Sequence, residues 1–161
     1  MDIPQVKKLI DEYLSWINIS LDFQNIAAEL ASFPDFYGEP SGSFFVAKQW
    51  DEIIGCVGLK PLEQDICEMK RLFVIDRFKG SGVGKQLITQ VLIEAKSKSY
   101  AKMRLDTLPI MAAAHSLYKS FGFYEIGQYV RNPIAGAIFM EIDLLTIPPI
   151  SLAPLSGRNL K

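Results

Sequence analysis

The chain has 161 residues, of which 49% are hydrophobic, and its formal net charge is -1. This length suits one domain with its own core, and the near-zero charge provides no basic footprint for nucleic acid. No apolar run has transmembrane length and no signal peptide opens the chain, so we expect a cytoplasmic protein without a membrane partner. Cys56 and Cys67 fall in predicted strands without an activating neighbour, and we expect both to be reduced and packed.

Two helices followed by three strands are predicted for the first half of the chain. Pro4 suits the first turn of a helix, and apolar residues at helical spacing continue that helix to Ile17. Apolar runs separated by turn residues predict the strands. The other predicted elements are a helix over residues 23–33, a loop marked by Pro34, Gly38, Pro40 and Gly42, and strands over residues 43–50, 53–62 and 66–75.

Three alternate glycines, Gly80, Gly82 and Gly84, join the third strand to an amphipathic helix. Glycine lets the backbone adopt positive φ and approach a ligand closely, and the first N–H groups of a helix attract an anion. The spacing does not fit a P-loop, because Lys79 stands where the first glycine belongs, and it does not fit a dinucleotide-binding G-x-G-x-x-G turn. A flexible loop without a ligand is the alternative, but it would cost folding entropy without return.

The second half of the chain predicts a strand, a helix and two more strands after the helix that begins at Val83. Helices first, then an antiparallel meander, then alternating strands and helices indicate an α/β protein with a mixed sheet and helices on both faces. The predicted strand over residues 103–106 is followed by a helix over 111–121 that ends at Gly122, strands over 123–130 and 137–145, and an irregular, Pro-containing extension over 146–161.

Two segments together resemble the GNAT superfamily of N-acetyltransferases. Residues 79–84, Lys-Gly-Ser-Gly-Val-Gly, are similar to the (Q/R)-x-x-G-x-(G/A) loop of that family, with Lys79 at the first position. Residues 114–123 are similar to its A-x-x-L-Y-x-x-x-G-F segment. The resemblance implies the GNAT fold over a single domain of residues 1–145, with two central strands that splay apart, and a first strand that is very short or missing here.

The same resemblance implies acetyl-CoA as the cosubstrate and coenzyme A as the product. Its pyrophosphate would lie on the loop amides, its pantetheine arm along the third strand, and its thioester carbonyl on the Val74 N–H. No metal site is predicted. The expected cofactor-binding residues are Leu72, Phe73, Val74, Lys79, Gly80, Ser81, Gly82, Val83, Gly84, Lys85, Ala114 and Tyr118.

Glu68 and Tyr118 are the predicted catalytic residues. By resemblance, Glu68 would accept the amine proton through a water, and a protonated phenol at Tyr118 would donate to the leaving thiolate. Strand alternation would place Glu68 and Val74 on one face of the sheet. The alternatives are an ion-paired strand glutamate beside Lys70 and a tyrosine that packs on the sheet. His115, the only histidine, is a competing base, although a solvated helix histidine is the simpler interpretation.

The resemblance places the acceptor between the early helices and the last strands. Arg131 could bind an acceptor carboxylate in a bidentate fork, or it could cap the turn before Pro133. We therefore predict direct acetyl transfer to a primary amine of a small molecule. A non-catalytic acyl-CoA-binding or regulatory module, acetylation of a protein amine, and a homodimer stay open. The candidate acceptor residues are Phe23, Tyr37, Tyr129, Arg131 and Asn132.

Overall fold

The computed structural model describes residues 2–22, 25–151 and 159–160. Across these residues the chain forms one mixed β-sheet with helices on both faces, as predicted. The helices are α1 (Ile3–Ile17), α2 (Ile26–Ala31), α3 (Phe33–Phe36), α4 (Val83–Ser97) and α5 (Ala112–Phe121). The strands are β1 (Ser43–Gln49), β2 (Glu52–Pro61), β3 (Ile66–Val74), β4 (Lys102–Thr107), β5 (Tyr124–Ile126), β6 (Ile138–Asp143) and β7 (Asn159–Leu160).

The first and last helices begin and end where the sequence supplies caps. The Asp2 carboxylate accepts a hydrogen bond from the Gln5 N–H at 3.1 Å, and Asn18 ends α1 in the left-handed conformation. Gly122 ends α5 with φ +103°, a conformation that glycine adopts without strain. Since α1 begins at Ile3, no strand precedes it among the described residues.

Two predicted elements differ from the structure. The second helix is divided into α2 and α3, and Pro34 lies in the first turn of α3 instead of opening a loop, because a first-turn residue does not need its N–H. The strand predicted over residues 123–130 ends at Ile126, since Tyr129 leaves the sheet to bond Glu68. The tail prediction falls mostly outside the described residues; Asn159 and Leu160 pair with β1.

The sheet has the order β5-β6-β4-β3-β2-β1-β7, and β3 and β4 are parallel neighbours at its centre. Their pairing covers three positions, Ile66 with Lys102, Cys67 with Met103, and Glu68 with Arg104. Beyond that point β3 continues to pair with β2, and β4 continues to pair with β6. The two central strands therefore splay apart and leave a wedge-shaped gap in the sheet, with backbone groups of both strands facing it.

A β-bulge in β3 changes which side chains share a face. Phe73 pairs with Cys56 and Lys70 pairs with Gly58, so β3 spends one more residue than β2 over the same distance, and Arg71 lies there with φ +57°. Phe73 therefore packs on the α1 side, where its ring centroid lies 5.3 Å from that of Tyr13. The predicted common face of Glu68 and Val74 is wrong because the extra residue reverses the alternation.

The two faces of the sheet are covered by different helices. A Cβ added at Gly55 would lie 3.1 Å from Leu87 of α4, and one added at Gly58 would lie 2.4 Å from the ring of Tyr37. Small residues in β2 thus let α4 approach one face and the early helices the other. No helix in the described part of the chain is both long and apolar enough to cross a bilayer.

Candidate active site

A cleft of about 460 Å³ opens between α1, the end of β3, the start of α4 and the start of α5. Apolar and aromatic side chains form most of its wall, as in pockets for extended organic ligands. The cleft brings together the predicted residues Leu72, Phe73, Val74, Lys79, Gly80, Gly82, Gly84, Lys85 and Ala114, and adds Tyr13, Trp16, Phe78, Ile110, Met111, Ala113 and Leu117.

The glycine-rich loop forms the polar end of this cleft. Gly80 and Gly82 have φ values of +76° and +87°, so the loop conformation itself favours glycine. The first hydrogen bond of α4 runs from the Gln86 N–H to the Gly82 carbonyl at 3.1 Å, and the N–H groups of residues 83–85 precede it. The first turn of α4 contains no acidic residue. This end of the cleft is therefore suited to an anion such as a diphosphate.

The remaining loop residues differ in their access to the cleft. Lys79 lies at the rim, where its Nζ is 3.8 Å from the ring centroid of Trp16 and 2.6 Å from the Asp76 carboxylate. The Ser81 hydroxyl donates to the Phe78 carbonyl at 2.5 Å, and the Val83 side chain is buried in the core. Neither Ser81 nor Val83 lines the cleft, so only their backbones remain available for the predicted role.

The Val74 amide faces the gap between the splayed strands. The Ile75 N–H donates to the Ile54 carbonyl of β2 at 3.0 Å. Since successive amides of an extended strand point to opposite sides, the Val74 N–H points away from β2. This direction is the one required for a hydrogen bond to a ligand that enters the gap.

A second, polar cavity of about 40 Å³ continues the cleft deeper into the gap. The two share Tyr13, Leu72 and Met111 in their walls. Tyr118 of α5 lines this polar cavity, across from the end of β4, and does not line the larger cleft. The other residues that line the polar cavity are Leu21, Met69, Lys70, Arg71, Leu105, Asp106, Thr107 and Leu108.

Both phenols of this polar cavity are protonated at neutral pH. Burial raises the pKa of Tyr118, and the nearby Tyr13 and the negative charge of Asp106 raise it further. Burial likewise raises the pKa of Tyr13 to about 12, although the Arg71 guanidinium beside its hydroxyl opposes that rise. Tyr118 therefore keeps its proton at neutral pH.

Asp106 is held in the polar cavity from outside the sheet. The side-chain NH2 group of Asn132 donates to the Asp106 carboxylate at 2.8 Å. The side-chain oxygen of Asn132 accepts a hydrogen bond from the Ile134 N–H at 3.0 Å. Asn132, predicted to contact the acceptor, is thus buried behind Asp106. Sequence reasoning missed both Asp106 and Tyr13. The sequence did contain a signal for Asp106, which is its position at the carboxyl end of a predicted strand. Ligand sites in open α/β sheets lie at the carboxyl ends of strands, where the strand order reverses.

Glu68 is buried beside the gap but lines neither cavity. Its carboxylate accepts a hydrogen bond from the Tyr129 hydroxyl at 2.9 Å and lies 3.4 Å from the Lys70 ammonium. Burial, followed by the charge of Glu68, raises the pKa of Tyr129. His115 contacts the polar cavity indirectly, because its Nε2 lies 3.1 Å from the Thr107 hydroxyl.

The other acceptor candidates do not meet in one place. The Tyr37 hydroxyl donates to Glu29 at 2.7 Å, and Arg71 binds both oxygens of that carboxylate at 3.0 and 2.7 Å. Burial alone would raise the pKa of Glu29, but these hydrogen bonds outweigh it and hold the pKa below its usual value. Arg131 is exposed and lines neither cavity, and Phe23 lies outside the described residues.

Known proteins similar to this chain include both sequence relatives and solved structures. An uncharacterized N-acetyltransferase of Schizosaccharomyces pombe is 36% identical over 145 residues, which are 89% of this chain and 89% of that protein. The N-acetylaspartate synthetase of Danio rerio is 33% identical over 129 residues, which are 79% of this chain but 41% of that protein.

Two solved structures share the fold described above. The GNAT acetyltransferase of Staphylococcus aureus Mu50 superposes with a TM-score of 0.76 at 21% identity, over 88% of this chain and 92% of that one. A GNAT acetyltransferase of Elizabethkingia anophelis with acetyl-CoA bound has a TM-score of 0.56 at 27% identity, over 70% of this chain and 82% of that one. The family model for the acetyltransferase (GNAT) family matches residues 9–123. The chain belongs to the GNAT family and is an N-acetyltransferase.

Proposed function

We propose that this chain uses acetyl-CoA to acetylate the primary amine of a small molecule by direct transfer. The observation that carries the proposal is that the apolar cleft and the polar cavity adjoin each other in one gap of the sheet. The apolar cleft begins at the N-terminus of α4, and it leads into the polar cavity, which contains the protonated Tyr118. The family supplies the reaction class, and this arrangement supplies a place for each reactant.

The cleft matches the chemical layout of the cosubstrate. The N–H groups of residues 83–85 would hold the pyrophosphate, and Lys79 and Lys85 at the rim would pair with phosphate oxygens. Leu72, Phe73 and Ala114 would line the pantetheine arm, and the Val74 N–H would bond the thioester carbonyl. When bound, acetyl-CoA supplies the acetyl group as an activated thioester.

Transfer requires that a bond form between the amine nitrogen and the acetyl carbon while the carbon–sulfur bond breaks. Tyr118 would give its hydroxyl proton to the departing sulfur and regain one from solvent. Glu68 was predicted to take the amine proton through a water. In the structure such a path would start at a carboxylate already bound by Tyr129 and Lys70.

The ammonium group of a small amine suits the polar cavity, whose volume of about 40 Å³ admits a group of that size. Asp106 contributes negative charge for an ammonium group, whereas the positive charges of Lys70 and Arg71 in the wall are paired with Glu68 and Glu29. The name of the Danio rerio relative, N-acetylaspartate synthetase, makes aspartate a sensible first amine to assay. Turnover of basic peptides without turnover of any free amino acid would refute the small-molecule part of the proposal.

Calorimetric titration with acetyl-CoA tests the cosubstrate site. We expect Gly82→Glu to weaken binding by about 100-fold or more, because a carboxylate would then stand at the helix N-terminus where the pyrophosphate belongs. Gly82→Ala is the matched control, since it brings the same backbone strain at φ +87° without the charge. Equal acetyl-CoA binding by both variants would mean that the loop is not part of the cosubstrate site. No acetyl-CoA binding by the wild type would overturn the proposed function.

A further inference from the structure

Asp106, the penultimate residue of β4, has a carboxylate that the predicted mechanism does not use. We infer that Asp106, not Glu68, binds the amine of the acceptor and takes its proton during acetyl transfer. This inference rests on the proposed function and assigns a residue to its proton-transfer step.

The position of Asp106 carries the first part of the argument. It lies at the open end of the gap, in the wall of the polar cavity, together with Tyr118 and Tyr13. The splay of β3 and β4 begins after Arg104, so Asp106 stands on the part of β4 that has left β3. An amine in this cavity would meet Asp106 on one side and the end of the cleft on the other.

The support behind Asp106 carries the second part. Asn132 is buried, donates to the Asp106 carboxylate at 2.8 Å and is itself fixed by the Ile134 N–H at 3.0 Å. A general base needs such a fixed orientation, because proton transfer depends on the geometry of the hydrogen bond. Asn132 is therefore a positioning residue, and its burial explains why it does not face an acceptor directly.

Glu68 is also fixed by its neighbours, but it lacks the position in the cavity wall. It lies at the last paired position of β3 and β4, opposite Arg104, where the sheet is still closed. Its two oxygens contact Tyr129 and Lys70, and it lines neither cavity. Removing Glu68 would therefore release Lys70 and Tyr129 from their positions, which is an indirect effect on the acceptor.

The proton balance of the step is complete with groups already present. Asp106 first takes one proton from the bound ammonium group and passes it to solvent, which frees the nitrogen lone pair. A second proton passes to the Asp106 carboxylate as the nitrogen–carbon bond forms, and the sulfur receives the Tyr118 proton as the carbon–sulfur bond breaks. Asp106 then releases its proton to solvent and Tyr118 regains one. Among the described residues, the charged and titratable groups near Asp106 include Tyr13 from α1, Lys70 and Arg71 from β3, Tyr118 from α5 and Tyr129, which also bonds Glu68, with His115 one contact away through Thr107.

The test uses the full chain and measures the release of the coenzyme A thiol with the best amino acid acceptor. We expect Asp106→Asn to lower kcat by about 100-fold or more, with the acetyl-CoA dissociation constant unchanged. Asp106→Ala should regain activity when formate is added, because a small carboxylate can enter the vacated space. Asp51→Asn, at the exposed tip between β1 and β2, is the matched control and should behave as the wild type.

Each outcome decides between the two carboxylates. A kcat for Asp106→Asn within threefold of the wild type overturns the inference, as does formate rescue of Glu68→Ala in place of Asp106→Ala. A loss at Asp106 without rescue assigns it a structural role and also overturns the inference. These results leave acetyl-CoA binding and wild-type turnover intact, whereas a wild type that neither binds acetyl-CoA nor turns over refutes the proposed function itself.

Discussion

The apolar cleft and the polar cavity occupy one gap in the sheet, yet they are assembled in different ways. The cleft is built mainly from two short stretches, residues 72–85 and 110–117, and the backbone N–H groups of residues 83–85 lie at its polar end. The polar cavity is lined mainly by residues 69–72 and 105–108 with Tyr13 and Tyr118 from α1 and α5, and its polar groups are side chains. A cosubstrate shared across a family can be held by local backbone geometry, whereas an individual acceptor needs side chains that only the tertiary fold brings together.

The largest expected effect tests whether the buried ion pair behind the polar cavity supports it. Arg71→Met leaves the Glu29 carboxylate buried without its guanidinium, and we expect a loss of about 3 to 5 kcal/mol in the free energy of unfolding. Urea denaturation measures this loss. The double variant Glu29→Leu/Arg71→Met removes both charges and should recover most of it. If the single variant is as stable as the wild type, the pair is not what holds the bulged strand.

The second prediction distinguishes the polar cavity from the apolar cleft by their roles in turnover and in acetyl-CoA binding. Tyr118→Phe removes the proton that we assign to the leaving sulfur but keeps the ring that packs at 5.7 Å from Phe123. We expect kcat to fall by about 100-fold, with acetyl-CoA binding unchanged because Tyr118 does not line the cleft. Steady-state kinetics and calorimetry measure the two quantities. Tyr100→Phe is the control, because it loses a hydroxyl bond to the Ser41 carbonyl but lines neither cavity. Equal losses in both variants would contradict the assignment.

The smallest expected effect concerns the part of β4 that pairs with β3, because this part anchors the part of β4 that splays away from β3. Burial alone would raise the pKa of Glu141, but hydrogen bonds from Tyr124, Lys102 and Arg104 lower it to about 2. A folded pKa below the ordinary value of 4.5 means that this stability is present above about pH 4.5 and is lost as the pH falls towards 2.

We therefore expect the acid dependence of stability to weaken by about 1 to 3 kcal/mol in Glu141→Gln. Thermal melts at a series of pH values between 7 and about 2 would measure it. Asp143→Asn, two residues later on β6, is the control. An unchanged acid dependence in Glu141→Gln would assign the anchoring of β4 to its backbone pairing with β6 alone.

The elements that could be predicted from the sequence are those whose cause is local. The glycine-rich turn, the α4 that follows it and the Gly122 cap depend on backbone conformations that neighbouring residues specify directly. The bulge at Arg71 could not be predicted, because it appears only in the pairing of β3 with β2, and the buried partner of Arg71, Glu29, lies 42 residues away in the chain. That one extra residue then placed Phe73 and Val74 on faces opposite to those that strand alternation predicts.

The sequence by itself determined the family, the fold class and the glycine-rich loop before α4, because motifs and hydrophobic periodicity act over a few residues. The tertiary structure decided which side chains reach the reacting centre. The splay of β3 and β4 moves Asp106 into the gap and leaves Glu68 in the closed part of the sheet, and α1 contributes Tyr13 to both spaces. These placements depend on strand register and helix packing, which are properties of contacts between distant segments and not of any one of them.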